Sequence, residues 1–177
     1  MSVFLAYGYQ RVTMEDIARA SEMSRPALYL LFRNKADIYR ALAGRVFEQS
    51  YAMIEAELAR TGPLPARLTS AIDSVMCGLL AEIEDTPHGT ELIDLKSSLA
   101  ADLIEVGMAR MSRLYAAAIE ADAGERRVDL AARGLTAAGL AETLICAIDG
   151  AKQRFDDREA CRRVVRGTVR LIDIAIN

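Results

Sequence analysis

The sequence predicts an all-α protein. A three-helix helix-turn-helix domain spans residues 1–46, and a larger helical domain spans 47–177. Three observations predict this. The 177 residues are Ala-rich, with no Trp and only 4 Pro, a composition that suits helices. Apolar residues recur at helical spacing along most of the chain, and no segment alternates as a strand does. Residues 13–42, TMEDIARASEMSRPALYLLFRNKADIYRAL, read as two short capped helices, a tight turn between them and the start of a third.

The first of these helices runs from Met14 to Ala20. Thr13 is its N-cap, and Asp16, three residues on, can bond back to the free amide. Ile17, Ala18 and Ala20 form its inward face. Ser21-Glu22-Met23 makes the turn. Ser24 caps the second helix, Arg25 to Phe32, and Pro26 falls in the first turn, where a missing N–H costs least. Leu28, Leu31 and Phe32 are expected inside. Asn34 caps the third helix, with Asp37 at its capping-box position.

Two short helices on a tight turn present the second one to the DNA major groove, with its N-terminal residues towards base edges. Ser24, Arg25, Ala27 and Tyr29 are the residues expected to reach DNA, Arg25 by a bidentate contact to guanine. Thr13, Tyr29, Arg33 and Lys35 are expected on phosphates, which position but do not specify.

Beyond Asn34 the apolar stripe Ile38, Leu42, Phe47, Tyr51, Ile54 and Leu58 extends the third helix to about Arg60. That makes a rod of roughly 40 Å. The Thr61-Gly62-Pro63-Leu64-Pro65 stretch ends it. Further helices are expected over 65–84, 90–95, 98–123, 129–153 and 157–175. In the last two, the interface candidates Leu140, Leu144, Ile148, Val165, Val169 and Ile172 form apolar seams that suit a four-helix bundle between two chains.

The net charge of −3 is unevenly spread. Residues 1–50 hold seven Arg/Lys against five Asp/Glu, and the remainder 15 against 20, so a head of +2 sits on a body of −5. That split fits a DNA-reading head. Cys77, Cys146 and Cys161 lack paired spacing, which fits a reducing compartment. They read as small buried residues, with a Cys146–Cys161 redox pair as the alternative. With one His and scattered acids there is no nucleophile–base pair and no metal-ligand spacing. Neither an enzyme, a metal nor a cofactor is expected. No run of apolar residues reaches membrane-spanning length, and no secretory leader is evident, so a cytoplasmic protein is expected.

Phe4, Gly8, Thr13, Ile17-Ala18, Ala20, Ser24, Leu28-Tyr29, Phe32, Lys35 and Ile38 together resemble the N-terminal domain of the tetracycline-repressor (TetR) family. The resemblance covers roughly the first quarter of the chain. Its opening helix is shorter than the family's and reads as truncated. Leu31 stands where the family often has an aromatic or His, which favours packing there.

The resemblance implies a transcriptional regulator, most simply a repressor. It would act as a homodimer on a palindromic double-stranded DNA operator and be released by a small-molecule inducer. It also implies an inducer pocket, for which Met53, Met76, Cys77, Leu80, Met108, Met111 and Tyr115 are the candidates, since Met suits adaptable apolar surfaces. An apolar or aromatic inducer is expected, with His88, Glu91 or Asp94 as polar contacts near the entrance. Tilting of the third helix would alter the spacing of the two heads, which half-sites one turn apart require at about 34–36 Å. The alternative, prompted by the short first helix, is a helical small-molecule-binding dimer that has lost DNA binding.

Overall fold

The structure, a computed structural model, describes residues 1–155 and 157–177, and the side chains of all of these except 96 and 97. Every regular element among them is helical and no strand forms, as the all-α expectation requires. In chain order the helices are α1 (Ser2–Tyr7), α2 (Met14–Ala20), α3 (Arg25–Leu31), α4 (Lys35–Leu58), α5 (Leu64–Asp73), α6 (Leu80–Glu84), α7 (Gly89–Leu99), α8 (Ala101–Glu125), α9 (Ala137–Arg154) and α10 (Arg158–Ala175). A π-helical turn, Ser74–Leu79, lies between α5 and α6, and a 3-10 turn, Ala131–Arg133, precedes α9.

Contacts divide the chain into two compact units. One comprises Met1–Ser50 with Gly78–Gly107, the other Tyr51–Cys77 with Met108–Asn177. This division differs from a single boundary between residues 46 and 47, because α7 packs on α1 and shares the first unit's core. That core gathers Phe4, Tyr9, Val12, Ile17, Ala18, Leu28, Ile38 and Tyr39 with Leu92 and Ala100.

Polar contacts fix α7 to the same core. Tyr39 donates its hydroxyl to Leu92 O at 2.5 Å, and burial pushes its phenol up to about 12. Glu91 Oε1 accepts from Tyr9 N at 3.2 Å, and His88 N donates to Leu5 O at 3.2 Å. His88 Nδ1 lies 3.0 Å from Glu91 Oε2. These contacts tie both residues to the turn after α1. The turn requires Gly8: its φ is +80, and a Cβ there would stand 2.7 Å from Glu91 Oε2.

The second unit is organised by α10, which packs on α9 and on α5. Leu68 and Ile72 of α5, Leu144 of α9 and Val165, Val169 and Ile172 of α10 are buried there. Arg67 and Asp122 form a largely buried ion pair at 3.1 Å, and Arg126 Nε lies 2.6 Å from the other carboxylate oxygen of Asp122.

Several boundaries differ from the sequence expectation for local reasons. The helix expected over 65–84 is interrupted by the π turn, where Ser74 Oγ donates to Ala71 O at 2.8 Å and Gly78 weakens helical preference. The helix expected over 98–123 is two helices, since α7 runs on to Leu99 and α8 starts at Ala101. The helix expected from residue 129 begins only at Ala137. Gly134 takes a left-handed φ of 70, and Thr136 caps α9 by accepting from Gly139 N at 3.0 Å. Ala20, expected inside, is exposed.

Arg40 grips Asp102 through two hydrogen bonds of 2.7 and 2.6 Å and donates to Leu99 O at 2.9 Å. The hydrogen bond from Arg40 holds the Asp102 carboxyl at about 2, below its ordinary 3.8. A depressed carboxyl stabilises the fold above its unfolded value and loses that contribution as pH falls towards the folded one. The melting-temperature gap between the wild type and Asp102→Asn should therefore be constant at neutral pH, narrow below about 3.8 and close near 2. Thermal denaturation across that range checks it, and a gap unchanged at pH 2 would exclude the pair as its source.

Candidate nucleic-acid interface

The interface is assembled by caps that the local sequence specifies. Asp16 N donates to Thr13 Oγ1 at 3.2 Å, while Thr13 N and Thr13 Oγ1 donate to Asp16 Oδ2 at 2.9 and 2.6 Å. These bonds, led by that from the Thr13 hydroxyl, hold the Asp16 carboxyl below its usual range. Both donors of Thr13 are thereby committed to Asp16, which leaves them taken rather than offered to a phosphate. At the next cap, Ser24 Oγ accepts from Ala27 N at 3.3 Å, with Pro26 in the first turn of α3. Asn34 Oδ1 accepts from Asp37 N at 2.9 Å at the start of α4. Asp37 reaches back to Arg33 N at 3.2 Å, one residue beyond the amide expected for it.

These caps present α3 with Leu28 buried and Phe32 half-buried beneath it. Arg25 is exposed, with its guanidinium 5.6 Å from the Tyr29 ring centroid and 3.9 Å from Glu15 Oε2. A hydrogen bond to the Tyr29 side chain is the main reason the Arg25 guanidinium is held above its ordinary range. Tyr29 is itself exposed, and Ala27 is half-buried on the other flank. The Arg33 side chain is 90% exposed, with Nε 3.1 Å from Asp37 Oδ2.

Two expected roles are corrected. Leu31, expected in the core, is 64% exposed, because Leu28 and Phe32 already fill the inward face of so short a helix. Lys35, expected on a phosphate, turns inward. Its Nζ donates to Tyr9 O at 2.5 Å, Val12 O at 3.0 Å and Gln10 O at 3.3 Å, and stands 4.4 Å from the centre of the Tyr9 ring. An ammonium has three protons to donate, and here the turn between α1 and α2 takes them.

The fold also brings together residues that no sequence pattern joins. Val3, Tyr7, Arg11, Asp16 and Arg19 line an open groove of about 410 Å³ beside α2, which brings two guanidinium groups and a phenol to one rim. Arg11 and Arg19 are eight residues apart on different elements, so no local pattern announces them.

Other sequence-predicted residues fall elsewhere. In the second unit Met111 and Tyr115 are buried, and Met53, Met76, Cys77 and Met108 are half-buried. Burial raises the Tyr115 phenol above its usual range. Cys77 Sγ donates to Asp73 Oδ1 at 3.7 Å. Leu80 belongs to the first unit, apart from the other pocket candidates. The cysteines are free: Cys146 is exposed, whereas Cys161 is buried and donates to Ala151 O at 3.3 Å. Among the six interface candidates, Leu144, Val165, Val169 and Ile172 are consumed by the chain's own core, and Leu140 and Ile148 are half-buried. The exposed apolar residues of α10 are instead Val164, Leu171 and Ile174. No group of three or more metal-ligating side chains occurs among the described residues. No helix among them is long and apolar enough to cross a membrane.

A capped pair of short helices with a cationic, exposed second member defines a helix-turn-helix module, and comparison with known proteins agrees. Residues 1–42 match the family of bacterial regulatory proteins, tetR family. The HTH-type transcriptional repressor ComR of Escherichia coli (strain K12) is 27% identical over 119 residues, which is 64% of this chain and 53% of that protein. The chain thus spans about half the length of this curated relative. The crystal structure of the TetR family repressor AlkX from Dietzia sp. strain DQ12-45-1b, implicated in biodegradation of n-alkanes, has the same fold. It superposes with a TM-score of 0.59 over 98% of this chain and 92% of that one, at 21% identity. Residues 1–42 thus carry the N-terminal domain of the tetR family of bacterial regulatory proteins, and the chain as a whole shares its fold with a solved repressor of that family.

The inward turn of Lys35 generates a test. Lys35→Met leaves three carbonyls without their ammonium and should destabilise the protein by about 1–3 kcal/mol in chemical denaturation. If Lys35 were instead a phosphate ligand, stability would stay constant and the salt dependence of DNA binding would fall by one contact.

Proposed function

We propose that this chain is a DNA-binding transcriptional regulator that acts as a homodimer, a repressor released from a palindromic operator by a small apolar or aromatic inducer. The observation that carries the reading is α3 itself. Its base is packed, both caps of the two-helix unit are satisfied, and Arg25 and Tyr29 stand exposed along one flank within the segment that matches the family. Residues 1–46 are the reading head in this proposal. Ser24, Arg25, Ala27 and Tyr29 meet the bases, and Arg33, with Arg11 and Arg19 beside the groove, meets phosphates. Residues 47–177 supply the inducer site and the dimer. Met53, Met76, Cys77, Met108, Met111 and Tyr115 are the candidate inducer contacts. An inducer that binds the DNA-incompetent state a hundredfold more tightly supplies roughly 2.7 kcal/mol of coupling.

Binding of the full chain to duplex DNA from upstream of its own reading frame, titrated with salt, tests the DNA reading. Affinity should fall linearly on a log–log scale as phosphate contacts are lost. Arg25→Ala should cost about 1–3 kcal/mol and relax the preference at one base pair. Uniform weakening across sequences would reassign Arg25 to a phosphate. Absence of binding at low salt would leave a helical small-molecule-binding dimer as the function.

The dimer is proposed to form through the outward face of α10. Val164, Leu171 and Ile174 are exposed there, and a Cβ at Gly167 would meet nothing within 4 Å. Two copies apposed by a twofold axis cover this stripe in both chains at once. Leu171→Arg should convert the dimer to a monomer in sedimentation equilibrium and abolish high-affinity binding to a two-half-site duplex. A dimer that survives the substitution would move the interface elsewhere.

A further inference from the structure

At 100° per residue the surface of α3 sorts into columns four residues apart. Leu28 and Phe32 face the core. Arg25 and Tyr29 make one flank, where the guanidinium lies near the ring. Ala27 and Leu31 make the other. Pro26 and Leu30 form the column diametrically opposite Leu28, pointing straight out of the domain. Leu30 is 87% exposed, the most exposed large apolar side chain among the described residues.

An aliphatic side chain in that position has no means of reading a base by hydrogen bonds. Every base edge in the major groove presents a donor or an acceptor, and one also presents an apolar group, the C5 methyl of thymine. Against a bare donor or acceptor, Leu30 would strip water from a polar atom and return nothing. Against a thymine methyl it gains contact and loses no hydrogen bond. The exposed guanidinium of Arg25 stands on the adjoining flank and that of Arg33 is exposed two residues beyond the end of α3, so an anionic partner suits this face better than an apolar protein surface.

We propose that Leu30 is a specificity-determining residue. Each half-site then carries a thymine whose methyl packs on Leu30, close to the guanine taken by Arg25. This rests on the DNA-binding reading above and adds to it the chemistry of the base read at the centre of α3.

The test begins with the full chain and a pool of randomised duplexes, from which bound sequences are enriched. In the enriched site each thymine is then replaced, one at a time, by deoxyuridine, which removes only the methyl. One thymine per half-site should lose affinity on the order of fourfold, the factor expected for one buried methyl. Leu30→Ala, a surface change whose folding is checked by circular dichroism, should bind the thymine and uracil duplexes equally. A site that emerges but is indifferent to uracil at every position overturns the proposal and leaves DNA binding intact. The proposal fails equally if Leu30→Ala keeps the full thymine preference. Failure to enrich any sequence, with no binding at low salt, overturns the DNA reading itself.

Discussion

The ammonium of Lys35 is the contact on which the reading head depends. It gathers the carbonyls of Tyr9, Gln10 and Val12 at the first residue of α4, across a sequence gap of more than twenty residues. The α1–α2 turn, whose carbonyls point inward, would otherwise carry unpaired acceptors. With Lys35 in place, the turn is fixed to α4, and the two helices between them, α2 and α3, are held at both ends. The Tyr9 ring beneath the ammonium continues into the core through Phe4 and Tyr39, whose centroids lie 5.6 and 5.8 Å from it. One charged group thus joins the polar frame of the head to its apolar core. Glu91 completes the frame from the other side by accepting the Tyr9 amide.

What can be read from the chain follows the range of each interaction. Thr13 with Asp16, Ser24 with Ala27 and Asn34 with Asp37 are three residues apart, so the sequence pattern and the geometry contain the same information. The helix-turn-helix unit is legible for that reason. The role of Lys35 is not, because an exposed-looking Lys after a recognition helix has the same local pattern whether it faces a phosphate or a turn. Leu31 is misplaced by its pattern because periodicity in a seven-residue helix does not determine how many apolar positions the core can hold. The π turn and the late start of α9 are hidden for a related reason. Gly78 and Gly134 sit inside apolar periodic stretches, and periodicity does not register backbone conformation.

The C-terminal helices show a deeper ambiguity. Residues 164–175 of α10 carry apolar side chains on two faces. Val165, Val169 and Ile172 follow one helical stripe, and Val164, Leu171 and Ile174 follow another. From sequence alone the fuller stripe looks like the subunit interface. Packing places the fuller stripe in the chain's own core against α5 and α9. A helix that must satisfy an intramolecular core first leaves the sparser stripe exposed. Arg162 and Arg166 between the stripes are paired with Asp73 and Glu159, and their charge is thereby partly offset at the rim.

Competing demands on a side chain also bear on how the head would distinguish sequences. Of its seven basic residues, Lys35 is committed to carbonyls and Arg40 to Asp102. Arg25 and Arg33 carry acid neighbours, Glu15 and Asp37. Exposed ion pairs of this kind are worth about 0–1 kcal/mol, so a phosphate or a guanine displaces the carboxylate at little cost. The acids nonetheless remain near the interface and lower its net positive potential. Sequence-independent attraction, which scales with the phosphates neutralised, is correspondingly reduced. Under the proposed function, a head with few uncommitted cations would derive a larger share of its affinity from base edges, and the exposed side chains available for that are Arg25, Tyr29 and Leu30.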